Sequence, residues 1–259
     1  MTTVADILEF LETLAPRAMA MDWDNVGLLC GRKGTQVTRI LVALDPFEDV
    51  CREAEEIGAQ LIVTHHPLIF QAPKAITDET SLGRCIMRLC RHGISAINAH
   101  TNLDCAPGGV NDVLAARLGL QNIRIIHPTG DPPYGLLRCG NVQEQSLTAF
   151  LAAVKERLGC EGLRYVDGGK PVQKVAVGGG SCAGGMLEAL EAGCDTFVTA
   201  DIKYNQFWDA RDLGLNLIDA GHFHTENPVV AVLAERIAGA FPEVQVKISQ
   251  IHTDCMKYY

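Results

Sequence analysis

The chain has 259 residues, 47% of them apolar and 20% charged, with a formal net charge of −9. That length admits one large domain or two modest ones, and the composition is that of a globular protein rather than a disordered one. The acidic balance argues against a general nucleic-acid surface, which needs clustered Lys and Arg, and no such basic run is present.

The first predicted helix carries Val4, Ile7, Leu8, Leu11 and Leu14 on one face, with Thr2 or Thr3 as its cap. Asp6, Glu9 and Glu12 interrupt it, so it does not read as a secretory signal. No apolar run is long enough to span a bilayer, and the expected location is the cytoplasm. The ten cysteines are scattered without a C-x-x-C pair. They are expected as reduced thiols, several of them small core residues.

Residues 39–45 read as a buried strand, 47–58 as a helix stopping at Gly58, and 60–64 as the next strand. A helix over 81–92 ends near Gly93, and residues 94–100 form a third strand. Strand and helix alternating in this rhythm imply a parallel α/β sheet. In such sheets sites collect at the carboxyl ends of strands. Asp45, His65, His66 and His100 all fall there.

Residues 128–135 are rich in turn formers and are the expected domain boundary. Beyond them, strands are expected at 134–142, 174–177, 196–199, 216–219 and 244–249. Helices are expected at 146–158, 186–192 and 227–239, the last with Pro228 in its first turn.

Three strings carry chemistry. Thr64-His65-His66-Pro67 places two imidazoles side by side. On an extended backbone, which Pro67 favours at His66, the rings diverge and suit two neighbouring metal ions better than one. Hydrogen-bonded polar residues at a strand end are the plain alternative. His222 and Glu226 are four apart at the start of the helix that carries Pro228, so a helical turn puts both on one face. Imidazole plus carboxylate makes a half-site for zinc, iron or manganese. An acid stabilised by the helix dipole is the alternative for Glu226. His224 points elsewhere. His100-Thr101-Asn102-Leu103-Asp104 offers a further imidazole and a carboxylate, with His100 as ligand or acid/base and Asp104 as bridge or simple turn residue.

The loop 178–185 holds Gly at 178, 179, 180, 184 and 185 and loosely matches a dinucleotide pattern. Asp201 does not suit a ribose acid, and a Walker lysine is lacking. The loop either presents backbone N–H groups to a substrate phosphate or makes a tight turn. No G-x-S-x-G nucleophile motif competes.

Four segments then stand together. These are Asp22-Trp23-Asp24-Asn25-Val26-Gly27-Leu28-Leu29, Thr64-His65-His66-Pro67-Leu68-Ile69-Phe70, His100 to Asp104 with Gly108-Gly109-Val110-Asn111-Asp112, and Asp219-Ala220-Gly221-His222 through Glu226. Their content and order resemble the Nif-three-like family, whose members are commonly called type-two GTP cyclohydrolase I homologues. The length is similar to that of the short form, without an inserted central domain.

The resemblance implies two intertwined α/β domains with mixed, largely parallel sheets and a metal cleft between them. Residues 1–127, completed by 228–259, would form the first domain, and 128–227 the second. It implies a toroidal homohexamer and two divalent metal ions per subunit. Their ligands would be His65, His66, Asp104, His222 and Glu226, with His100 lining the site and the Trp23-Asp24-Asn25 loop close by. Mixed imidazole and carboxylate ligands suit Zn, Fe and Mn about equally. Ala200 and Asn205 depart from the glycine and histidine that many relatives carry.

The leading expectation is a dinuclear-metal-dependent hydrolase of a small molecule. GTP cyclohydrolase-type ring opening of a purine nucleotide is the specific form, with His100 and Glu226 as catalytic residues. A metal-dependent phosphoesterase, or a non-enzymatic hexameric metal-binding or regulatory protein, are the alternatives.

Overall fold

Thr3, rather than Thr2, caps the first helix. In this computed structural model, which describes residues 1–259, Asp6 accepts from the Thr3 amide at 2.8 Å and its own amide turns to the Thr3 hydroxyl. In chain order the elements begin α1 (Val4–Leu14), β1 (Gly27–Cys30), β2 (Arg39–Ala43), α2 (Glu48–Glu56), β3 (Leu61–Thr64), α3 (Ser81–His92) and β4 (Ser95–Asn98). They continue with α4 (Thr101–Cys105), α5 (Val110–Arg117), β5 (Gln121–Ile125), β6 (Arg138–Gln145), α6 (Leu147–Leu158), β7 (Arg164–Val166) and β8 (Val172–Val177). The last are α7 (Met186–Glu191), β9 (Thr196–Thr199), α8 (Tyr204–Asp212), β10 (Asn216–Asp219), α9 (His222–Glu226), α10 (Pro228–Ala240) and β11 (Gln245–Ile248).

The elements sort into two units. The first comprises Met1–Leu103 and Val230–Thr253. Its sheet runs β1-β4-β3-β2-β11, with β4, β3, β2 and β11 parallel and β1 antiparallel at the edge. Leu41, Ile62, Ala96 and the inner faces of α2 and α3 build a core on one side of this sheet. The central strands are buried along nearly their whole length and largely apolar, as expected where both faces are covered. Register then decides where the chemistry sits. Ala43 pairs with Thr64, and Thr64 with Asn98. Two residues beyond these partners come Asp45, His66 and His100, so all three leave the sheet along one edge.

The second unit comprises Asp104–Val229 and Asp254–Tyr259. Its sheet runs β5-β6-β8-β9-β10-β7, with β8, β9 and β10 parallel and the others antiparallel. Phe150 and Val154 of α6 pack with Val175, Val177 and Val198 in one core, and Phe197 with Leu217 in another. Val177 pairs with Val198, and Thr199 with Asp219. The glycine loop, Asp201 and His222 therefore follow neighbouring strand ends.

The division differs from the expected one. The chain leaves the first unit inside α4, between Leu103 and Asp104. The turn-rich segment 128–135 instead joins β5 to β6 within the second unit. It closes locally, through paired Thr129 and Tyr134 amides and carbonyls at 2.8 Å. The C-terminal stretch does complete the first unit, but only through Thr253. Nor do His222 and Glu226 share a helix with Pro228: α9 ends at Glu226, and the proline opens α10, as its fixed φ and missing N–H favour.

Candidate metal centre

In the first unit, His65, His66 and His100 each offer a nitrogen, and these atoms lie within 4.8 Å of one another. The adjacent rings do not diverge, contrary to expectation. β3 stops at Thr64 and the backbone bends at His65 and His66, so their ring centroids lie 4.9 Å apart. The His100 ring is 5.2 Å from His65 and 5.4 Å from His66.

What surrounds each ring fixes which nitrogen is offered. His65 Nδ1 faces the Ala99 carbonyl at 2.9 Å, an acceptor only, so Nδ1 carries the proton and Nε2 keeps its lone pair. His66 Nδ1 meets Asp45 Oδ1 at 2.7 Å, and His100 Nδ1 meets Asp24 Oδ1 at 2.8 Å. A carboxylate or carbonyl behind each imidazole is the usual outer support of a metal-binding histidine. Asp45 also takes His252 Nε2 at 2.9 Å, and Asp24 takes the Thr101 amide at 3.0 Å. Burial alone would push the Asp24 carboxyl up, but hydrogen bonds from His100 and Thr101 outweigh it and hold the group below the usual carboxylate range. The same balance holds Asp45 down, through His252 and His66.

In the second unit, α9 puts His222 Nε2 3.0 Å from Glu226 Oε2, the i,i+4 pairing read from the sequence. A carboxylate oxygen of Asp104 lies within 4.8 Å of one of Glu226. Asp104 is 7% exposed and Glu226 4%. Two carboxylates that close and that buried repel each other, and a divalent cation between them removes the cost. The donor set thus fits a transition metal ion. His222 Nδ1 meets Asp201 Oδ2 at 2.7 Å. Asp201 adopts φ +52°, a left-handed conformation that Asp tolerates better than most residues.

Of the two expectations for the glycine loop, the tight turn fits its amides better than the anion cradle. The Gly178, Gly179, Gly180 and Cys182 amides donate internally, to Val198, Asn111, Thr225 and both Gly180 and Thr199. The glycines serve close approach: a Cβ on Gly180 would lie 2.0 Å from Glu226 Oε1 and 3.0 Å from His222 Nε2. Asn111, fully buried, donates to the Asp104 and Leu136 carbonyls at 3.2 and 2.6 Å while accepting from Gly179 at 2.7 Å. It ties the loop to the end of α4.

His224 turns away, as expected, to Asp254 at 3.3 Å. Ala200 is buried, with its amide on the Gly180 carbonyl at 2.9 Å, and Asn205 is exposed at the start of α8. The sequence reading missed Asp201 as the support of His222, and His252 as the second partner of Asp45. One signal was present for Asp201: it follows β9 as Asp45 follows β2. Asp201→Asn is expected to weaken Zn(II) affinity about 10- to 100-fold, measured by competition with a chromogenic chelator.

An α/β protein whose strand ends carry imidazoles backed by carboxylates, with paired buried acids, has groups that could hold a metal ion. Comparison with known proteins gives the family. The model of the family described as Duf34/NIF3 (NGG1p interacting factor 3) matches residues 2–255. A Clostridium perfringens protein named GTP cyclohydrolase 1 type 2 homolog is 37% identical over 235 residues, 90% of this chain and 90% of its own. Its namesake in Clostridium acetobutylicum is 34% identical over 263 residues, 98% of each chain. Among solved structures, a Staphylococcus aureus protein superposes with TM-score 0.92 at 31% identity, covering 100% of this chain and 99% of that one. A Bacillus cereus protein related to NIF3 gives TM-score 0.94 at 27% identity, with the same coverage. The chain belongs to the Duf34/NIF3 family.

Proposed function

We propose that this protein is a dinuclear-metal-dependent hydrolase. In this reading His65, His66, Asp104, His222 and Glu226 together hold two divalent cations, Zn, Fe or Mn. The observation that carries it is the repeated backing of imidazole Nδ1 atoms, at His65, His66 and His222, which orients each ring so that Nε2 is the nitrogen it would offer a metal. Bound divalent cations would supply electrophilic polarisation and an acidified water.

The chain's own groups do the rest. Asp104 and Glu226 bring negative charge that makes cation binding favourable in a buried place. Asp45 and Asp201 hold His66 and His222 in one orientation. His100, backed by Asp24, presents its other nitrogen as the group that takes a proton from the attacking water and returns it to the leaving atom. The names of the relatives support GTP cyclohydrolase-type opening of a purine nucleotide ring as the specific reaction. The family also suggests a cytoplasmic homohexamer, which analytical ultracentrifugation tests for assembly.

Glu226→Gln keeps the shape of the side chain and removes its charge. Wild-type protein is expected to hold two equivalents of metal and to lose turnover on chelation, recovering it on reconstitution. Glu226→Gln is expected to lose metal and turnover together, by elemental analysis and a GTP assay. Unchanged metal content and activity in the variant would refute the assignment. Turnover of a generic phosphodiester in place of GTP would mark a phosphoesterase. No turnover above the metal-stripped control would mark a metal-binding assembly protein.

A further inference from the structure

We propose that Trp23 and Phe70 form an aromatic corner that receives a planar ring of the substrate beside His100. The proposal rests on the reading of that histidine cluster as part of the reaction centre, and it adds the residues that would recognise the substrate's flat portion.

Trp23 is 62% exposed and Phe70 51%. Large aromatic surfaces left in water side by side commonly mark a place where a ligand or partner sits. These two meet edge to face, with centroids 5.9 Å apart and planes at 66°. Each ring centre lies 6.2 Å from that of His100. The corner is therefore continuous with the histidine cluster.

The backbone holds the two rings in place. Asp24, next to Trp23, is fixed through both carboxylate oxygens, one on His100 and one on the Thr101 amide. The Asp24 amide donates to the Met21 carbonyl at 2.9 Å. Asn25 Nδ2 donates to the carbonyl of Ile69, next to Phe70, at 2.6 Å. One hydrogen bond thus joins the loop of one aromatic residue to the loop of the other. A pre-set pair of rings loses little freedom on binding. A flat heterocycle entering such a corner stacks on one ring and meets the other edge-on, and a sugar phosphate without a ring gains neither contact.

The chain has two tryptophans, Trp23 and Trp208. Trp208 lies in α8, with Arg211 over its ring and Tyr204 edge-on to it. In a Trp208→Phe background the emission therefore reports on Trp23 alone. Guanosine 5′-monophosphate is titrated against this protein, metal-free and Zn(II)-loaded, with ribose 5-phosphate as the ring-free probe. Saturable quenching by the nucleotide and none by the sugar phosphate is expected. Phe70→Ala is expected to weaken the nucleotide on the order of tenfold. Trp23→Ala and Phe70→Ala are expected to keep wild-type metal content and melting behaviour.

Absence of saturable quenching, or equal quenching by ribose 5-phosphate, overturns the proposal. So does a change of sedimentation coefficient in Trp23→Ala or Phe70→Ala, which would show that a second copy of the chain covers the corner. Failure of wild-type protein to hold metal would instead sink the hydrolase reading, with the metal-free titration still reporting on the corner.

Discussion

Arg138→Ala is expected to cost about 3–5 kcal/mol of stability and to lower the melting midpoint by roughly 10 °C. Arg138 is fully buried. Its guanidinium grips Asp112 with two hydrogen bonds, Nε to Oδ1 at 2.8 Å and a terminal nitrogen to Oδ2 at 3.0 Å. The same terminal nitrogen reaches the Cys105 and Ala106 carbonyls at 3.2 and 3.1 Å. Those carbonyls sit just past Asp104, so the guanidinium also secures the end of α4 that presents this acid. Truncation strips the guanidinium donor from Asp112, which keeps only the Gly108 amide, and from the Cys105, Ala106 and Gly135 carbonyls. Lysine cannot restore the planar fork, so Arg138→Lys should recover only part of the loss. Removing both partners, in Arg138→Met with Asp112→Leu, should cost less than Arg138→Met alone. Urea and thermal unfolding read all four variants. A loss under about 1 kcal/mol for Arg138→Ala would mean that the clamp is no more than an ordinary surface pair.

Gly180→Ala is expected to abolish stoichiometric metal binding while costing only about 1–3 kcal/mol of fold stability. Two effects coincide. Gly180 sits at φ +61°, where a side chain is strained, and its Cβ would overlap Glu226 Oε1 at 2.0 Å. The Glu226 carboxylate must then move, in a wall too tightly packed to give way elsewhere. Gly184→Ala is the control. A Cβ there meets nothing within 4 Å, and its φ lies outside the left-handed region. It should retain wild-type metal content by elemental analysis. Normal metal content in Gly180→Ala would show that the loop yields and that Glu226 does not depend on it.

The sequence made some of this plain and hid the rest for identifiable reasons. Helix α3 was readable to the residue, because Thr80 and Gly93 bracket it with a cap and a left-handed stop. Strands β2, β3 and β4 were readable as apolar runs, since both faces of that sheet are covered. Strands β5 and β7 were not. Gln121–Ile125 is largely exposed and Arg164–Val166 is three residues long, so pairing with β6 and β10 rather than local preference makes them strands. The boundary at 128–135 failed for a related reason: a turn-rich stretch looks the same whether it joins two strands of one sheet or two separate units. The candidate donor types were visible as imidazoles and acids at strand ends. Their supports were not. Asp24 stands 76 residues from His100, and Asp45 and Asp201 each stand 21 from their histidines, so no local pattern links them.

The aligned strands of the first unit carry a last consequence. Because Ala43, Thr64 and Asn98 are neighbours across the sheet, the strands act as a ruler that meters out Asp45, His66 and His100. Helices α2 and α3 and their connecting loops can gain or lose residues without disturbing that measure. A single residue inserted within β3 would shift the reading by one and swap His65 into the place of His66. Drift in length among related chains should therefore gather in the crossovers and spare these three strands.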